Sequence, residues 1–123
     1  MTNEKQKTMQ ALTKLRQSLY EMATLCDMTD IVNITDLDKN LQNITDAVIE
    51  ASCFAYQSDI NESVKQHIWY LEDVILERDI FEYAGQCFDD NDRNLVTKYE
   101  IKVQVLYDLA LQVSLCLEML QTT

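Results

Sequence analysis

Proline is absent from this chain and glycine occurs once, at Gly85. A many-stranded sheet needs frequent tight turns built on those residues, so their scarcity argues against an all-β fold and favours a few long helices. Histidine also occurs once, at His67. That excludes a di-iron carboxylate bundle, whose centre takes two Glu-x-x-His motifs. No glycine-rich phosphate loop is present, and no C-x-x-C pair joins Cys26, Cys53, Cys87 and Cys116. With no basic-then-apolar segment at the N-terminus, the expected setting is cytoplasmic and reducing, with cysteines acting as small apolar side chains. The greasiest window, 103–120, is interrupted by Gln104, Asp108, Gln112 and Glu118. A lone bilayer helix would not carry polar groups at that density, so no membrane association is expected.

Bases are few and unevenly placed. The net charge is −11 over 123 residues. Between 27 and 92, sixteen acids face only Lys39, Lys65 and Arg78, whereas residues 1–26 hold Lys5, Lys7, Lys14 and Arg16 against Glu4 and Glu21. Phosphate would be repelled over the middle of the chain, so direct binding of nucleic acid or anionic lipid is not expected.

What is abundant is helical periodicity. Met9, Leu12, Leu15, Leu19, Met22 and Cys26 form the stripe of a first helix over about 3–26. Thr35 with Asp38 resembles a capping box that opens a second helix, about 36–57, whose stripe is Leu37, Leu41, Ile44, Val48, Ala51 and Ala55. Ser58 or Asp59 is the expected N-cap of a third, about 59–84, striped by Ile60, Val64, Ile68, Leu71 and Ile75; the pattern slips near Arg78, where a break is the alternative. A fourth, about 95–121, follows Val96, Tyr99, Val103, Leu106, Ala110, Val113, Leu117 and Leu120. Short connectors favour antiparallel neighbours. The expectation is one all-α domain over 1–123, an antiparallel, up-down four-helix bundle.

The fourth helix poses a question, because Val105, Leu109, Leu111, Leu115, Cys116 and Met119 lie off its seam and are apolar too. A bundle helix normally shows one apolar face. Either this helix is central to an irregular bundle, or a second chain covers part of it.

Sites of chemistry are weakly supported. Asp89, Asn91, Val96 and Glu100 fit a calcium-loop pattern, but Arg93 stands at a ligand position and Asn94 where glycine makes the turn. His67 on a helix suggests a phosphotransfer acceptor, yet Trp69, Tyr70 and Leu71 crowd it. Glu72, Asp73, Glu77 and Asp79 do not converge on one helix face as magnesium would require. No catalytic residue, cofactor or metal is therefore assigned, and the chain is read as non-enzymatic.

Surface recognition remains. The acids Asp36, Asp38, Asp46, Glu50, Asp59, Glu62, Glu72, Asp73, Glu77, Asp79, Glu82, Asp89, Asp90 and Asp92 are read as a docking face for a larger basic protein, with Trp69, Tyr70, Phe81 and Tyr83 as aromatic anchors. The basic partner is of the nucleic-acid-binding kind if the carboxylates imitate spaced phosphates. Immunity proteins, antitoxins and phage-encoded inhibitors share this size and charge, and the expected role is inhibition or masking. The competing reading of the acids is a plain solubility surface. The alternative functions are a homodimeric scaffold or chaperone paired through helix four and, third, a phosphotransfer or metal-dependent bundle enzyme.

Overall fold

A computed structural model describes residues 3–28, 34–77 and 95–122, with side chains described at 3–24, 39–76 and 104–122. Among these residues there are four helices and no strand: α1 (Glu4–Met28), α2 (Ile34–Gln57), α3 (Glu62–Glu77) and α4 (Leu95–Gln121). They form the expected four-helix bundle. Helix α1 packs on α2 and α4, and α3 packs on the same two, less extensively on α4. Residues α1 and α2 share run in opposite directions. Lys7 lies over the Phe54 ring, Lys14 pairs with Glu50, and Thr24 lines a groove with Lys39. Arg16 with Ser114 and Tyr20 with Tyr107 show the same antiparallel register between α1 and α4. The four-residue turn at 58–61 makes α2 and α3 antiparallel as well.

Each start has a local cause. The Asn3 side chain accepts the Gln6 N–H at 2.9 Å and caps α1, with Glu4 in the first turn facing the positive end of the helix dipole. Helix α3 is capped by Asn61, not by Ser58 or Asp59 as expected. Its side chain accepts the Ser63 N–H at 2.8 Å and its carbonyl accepts Val64 and Lys65 N–H. Ser58 cannot serve there, because its N–H still closes the end of α2 on the Ala55 carbonyl and the residue is buried. Helix α2 begins at Ile34, which places Thr35 inside the first turn instead of at the cap. Residues 78–84 of the expected third helix, with the break near Arg78, lie outside the described residues.

The core follows the stripes. Leu12, Leu15, Leu19 and Met22 of α1 meet Ile44, Val48, Ala51 and Ala55 of α2, Val64, Ile68, Leu71 and Ile75 of α3, and Leu106, Ala110, Val113, Leu117 and Leu120 of α4. Alanines at 47, 51 and 55 leave room for neighbouring side chains to interdigitate. Thr8, fully buried, satisfies its hydroxyl by donating to the Glu4 carbonyl at 2.7 Å.

Helix α4 is a corner of the square and not a central rod, since among the described residues it touches α1 and α3 and stands diagonal to α2. Its off-seam apolar residues divide. Leu109 and Cys116 turn inward and widen the buried arc. Leu111, Leu115 and Met119 turn out to solvent, so the helix is partly wetted along its apolar circumference.

Candidate interaction surfaces

Two surfaces arise from this arrangement, on opposite sides of the bundle. The first is the outer side of α2 and α3. At about 100° per residue, Asp46, Ile49, Glu50, Cys53 and Tyr56 fall on the outward strip of α2, and all five are exposed. Glu62, Gln66, Tyr70 and Asp73 form the outward strip of α3, also exposed. Tyr56 is 74 % and Tyr70 48 % exposed, large rings that the core does not use. The carboxylates around them are little compensated. Glu50 meets Lys14 at 3.9 Å, an exposed pair that contributes little. Asp46 accepts a hydrogen bond from Gln42 at 2.8 Å, and Glu62 and Asp73 have no ion pair among the described residues.

The expected acidic face is thus divided over several places. Asp46 and Glu50 border the α1–α2 groove beside Lys14 and Glu21, Asp59 lies in the α2–α3 turn near Glu4 and Lys5, and Glu62 and Asp73 stand on α3. Glu72 and Trp69 are half-buried, so Trp69 contributes mainly to packing while Tyr70 is free to anchor. Asp36 and Asp38 lie in the first turns of α2 and Glu77 ends α3, but their side chains are not described, and Asp79, Glu82, Asp89, Asp90, Asp92, Phe81 and Tyr83 lie outside the described residues. Tyr56, off the Val48–Ala51–Ala55 stripe, is more exposed than Tyr70.

The second surface is the outer face of α1 and α4. Tyr107, Leu111, Leu115 and Met119, each one turn from the next, are exposed by 39, 58, 45 and 39 %. Tyr20 extends the ridge onto α1, its ring 6.2 Å from that of Tyr107. Beside it α1 shows Thr13, Gln17 and Thr24, exposed and uncharged. Arg16, half-buried at this seam, donates to the Ser114 hydroxyl at 3.2 Å. Asp108 and Glu118 flank the ridge on opposite edges, Asp108 accepting from Gln104 at 3.4 Å.

Chemistry-bearing groups do not converge. Among the described residues, no three His, Cys, Asp or Glu side chains are placed to hold a metal ion. Of the calcium-like segment 89–100, residues 89–94 lie outside them, and 95–100 form the start of α4 with side chains not described. His67 is half-buried with its Nε2 shielded from solvent and without a hydrogen-bond partner among the described residues, and the Tyr70 ring stands 6.2 Å away. This placement shields Nε2 from a phosphoryl donor. An open groove of about 840 Å³ between α1 and α2 is lined by Thr13, Arg16, Gln17, Tyr20, Glu21, Thr24, Lys39, Asn40 and Asn43, without histidine, cysteine or paired carboxylates. Cys116 is fully buried and its thiol is pushed up to about 11 by desolvation, whereas Cys53 is exposed. No described helix is long and apolar enough to cross a membrane.

Compared with protein families, curated proteins and solved structures, the chain matches none.

Proposed function

We propose that this protein is a small acidic interaction module that docks on a larger basic protein through the outer side of α2 and α3, and inhibits or masks it. The observation that supports the reading is that exposed tyrosines share the outward strips of α2 and α3 with carboxylates that have no ion pair among the described residues: Tyr56 with Asp46 on α2, and Tyr70 with Glu62 and Asp73 on α3, the rings 74 % and 48 % exposed. Rings anchor an interface by burying area at low entropic cost, and carboxylates steer a cationic partner and fix its register. The net charge of −11 makes a basic surface the favoured target, and a nucleic-acid-binding groove is the kind that carries such a surface. Among the described residues no His, Cys, Asp or Glu cluster is placed to hold a metal ion, which is in keeping with binding.

The test uses immobilised protein and proteins recovered from the source cell. One partner should be retained at low ionic strength, released as salt rises past the range where the Debye length falls below about 10 Å, and displaced by duplex DNA. Replacing Tyr56 and Tyr70 by Ala together should abolish that capture. A partner held equally at high salt, or equally by the double variant, overturns the reading.

A further inference from the structure

The outer face of α1 and α4 points to a different occupant. We propose that it is covered by a second copy of this chain, giving a two-fold dimer with α4 against α4. This inference does not rest on the proposed function, since the two surfaces lie on opposite sides of the square.

Three observations carry it. The first is the ridge itself: Tyr107, Leu111, Leu115 and Met119 are all at least 39 % exposed in a line along one helix. A continuous apolar row of that length on a monomer surface marks an interface. The second is charge. Two molecules of net charge −11 repel, and can associate only where acids are sparse. Between Asp108 and Glu118 the outer face of α4 holds no charged residue, and on the adjoining strip of α1, beside Thr13, Gln17, Tyr20 and Thr24, the charged group at the seam is Arg16, half-buried and donating to the Ser114 hydroxyl. A basic partner would find no carboxylate to pair with at the centre of this face, whereas an identical face, without carboxylates, escapes the repulsion of the acidic chain. The third is register. At about 100° per residue, Tyr107 and Glu118 lie on the α1 edge of the ridge, Asp108 and Met119 on the α3 edge. An antiparallel two-fold centred between Leu111 and Leu115 keeps each edge and reverses the direction. Leu111 then meets Leu115 of the second copy, Glu118 stands opposite Tyr107, and Asp108 opposite Met119. No two carboxylates face one another, and the Tyr107 hydroxyl has a carboxylate to donate to.

Centred between Leu111 and Leu115, the two-fold overlaps α4 with its copy over about 105–121, roughly 25 Å, and α1, whose Arg16 stands level with Ser114, over roughly 35 Å. At about 10 Å of width per helix that is on the order of 600 Å² from each copy, the lower end of stable interfaces. Being isologous, the contact closes at two and does not propagate. Helix α2, diagonal to α4, stays on the far side, so the dimer would present two acidic faces.

Sedimentation equilibrium over a wide dilution series tests this. The wild-type chain should approach twice 14.3 kDa on concentration. The Leu111→Glu/Leu115→Glu variant, with its substitutions at exposed positions, should keep full helicity and weaken association by about a hundredfold or more. The Tyr56→Ala/Tyr70→Ala variant should dimerise like the wild type. A wild-type mass of 14.3 kDa at every concentration overturns the proposal. So does a mass that grows beyond two chains, a Leu111→Glu/Leu115→Glu variant that still dimerises, or dissociation caused by the tyrosine substitutions. Loss of the dimer with salt-sensitive capture intact would refute this inference alone.

Discussion

Leu109 and Leu111 are two residues apart on one helix, chemically identical, and only 3 % and 58 % exposed respectively. Truncating each to Ala therefore isolates the rotation of α4 about its own axis. Leu109→Ala removes a fully packed side chain and leaves a cavity bounded by core neighbours, which costs about 2–5 kcal/mol. Leu111 keeps only some two-fifths of its surface from water in a single chain. With full burial of a leucine contributing about 1.5–3 kcal/mol, its loss should cost about 1 kcal/mol. Urea unfolding at high dilution, followed by circular dichroism, reads both. With a slope of about 1.5 kcal/mol per M, the midpoint should fall by ~2 M for Leu109→Ala and by ~0.6 M for Leu111→Ala. Raising the protein concentration should enlarge the second effect and leave the first unchanged, because only Leu111 gains burial on pairing. Equal costs at high dilution, or the reverse order, would mean that α4 is turned differently and that the exposed ridge does not exist.

Two further outcomes follow from named groups. Asn61→Ala removes the side-chain acceptor at 2.8 Å from Ser63 N–H and should cost about 1 kcal/mol, while Asp59→Ala should cost little; the opposite ranking in thermal melts would restore the earlier cap. Burial raises the Cys116 thiol to about 11 from an ordinary 9.0, so above pH 9 the unfolded chain releases a proton that the folded chain retains. Stability should then fall as pH rises from about 9 to about 11, by up to ~1.4 kcal/mol per pH unit, and Cys116→Ala should lose that component of the slope. Parallel slopes for wild type and variant in urea titrations would contradict it.

The bundle is legible in the sequence because its stripes are strict. Leu12, Leu15 and Leu19, or Val64, Ile68 and Leu71, repeat at helical spacing and are all buried. The turn between α2 and α3 was harder. Ser58, Asp59 and Asn61 are all good capping residues, and only the backbone bond from Ser58 to Ala55, which prolongs α2, selects Asn61. The sidedness of α4 was not legible. Leu109 and Leu111 look alike in a helix that is apolar nearly all round, and which of them is buried depends on where α1 and α3 stand. The same holds for the acids. Their number is a property of the sequence, but their division among the α1–α2 groove, the turn and the outer strip of α3 depends on the packing of three helices. Tyr56 and Tyr70 were distinguished from Phe54 and Trp69 only by exposure.

On these proposals the molecule has two working sides, an apolar one at α1 and α4 that pairs and an acidic one at α2 and α3 that stays open. Hydroxyl-radical footprinting by mass spectrometry, run on the wild-type chain from dilute to concentrated solution, tests both sides at once. Oxidation of Met119 and Tyr107 should fall as concentration rises, while Tyr56 and Tyr70 remain equally reactive throughout. Undiminished labelling of Met119, or protection that develops at Tyr56 and Tyr70 instead, would contradict the account.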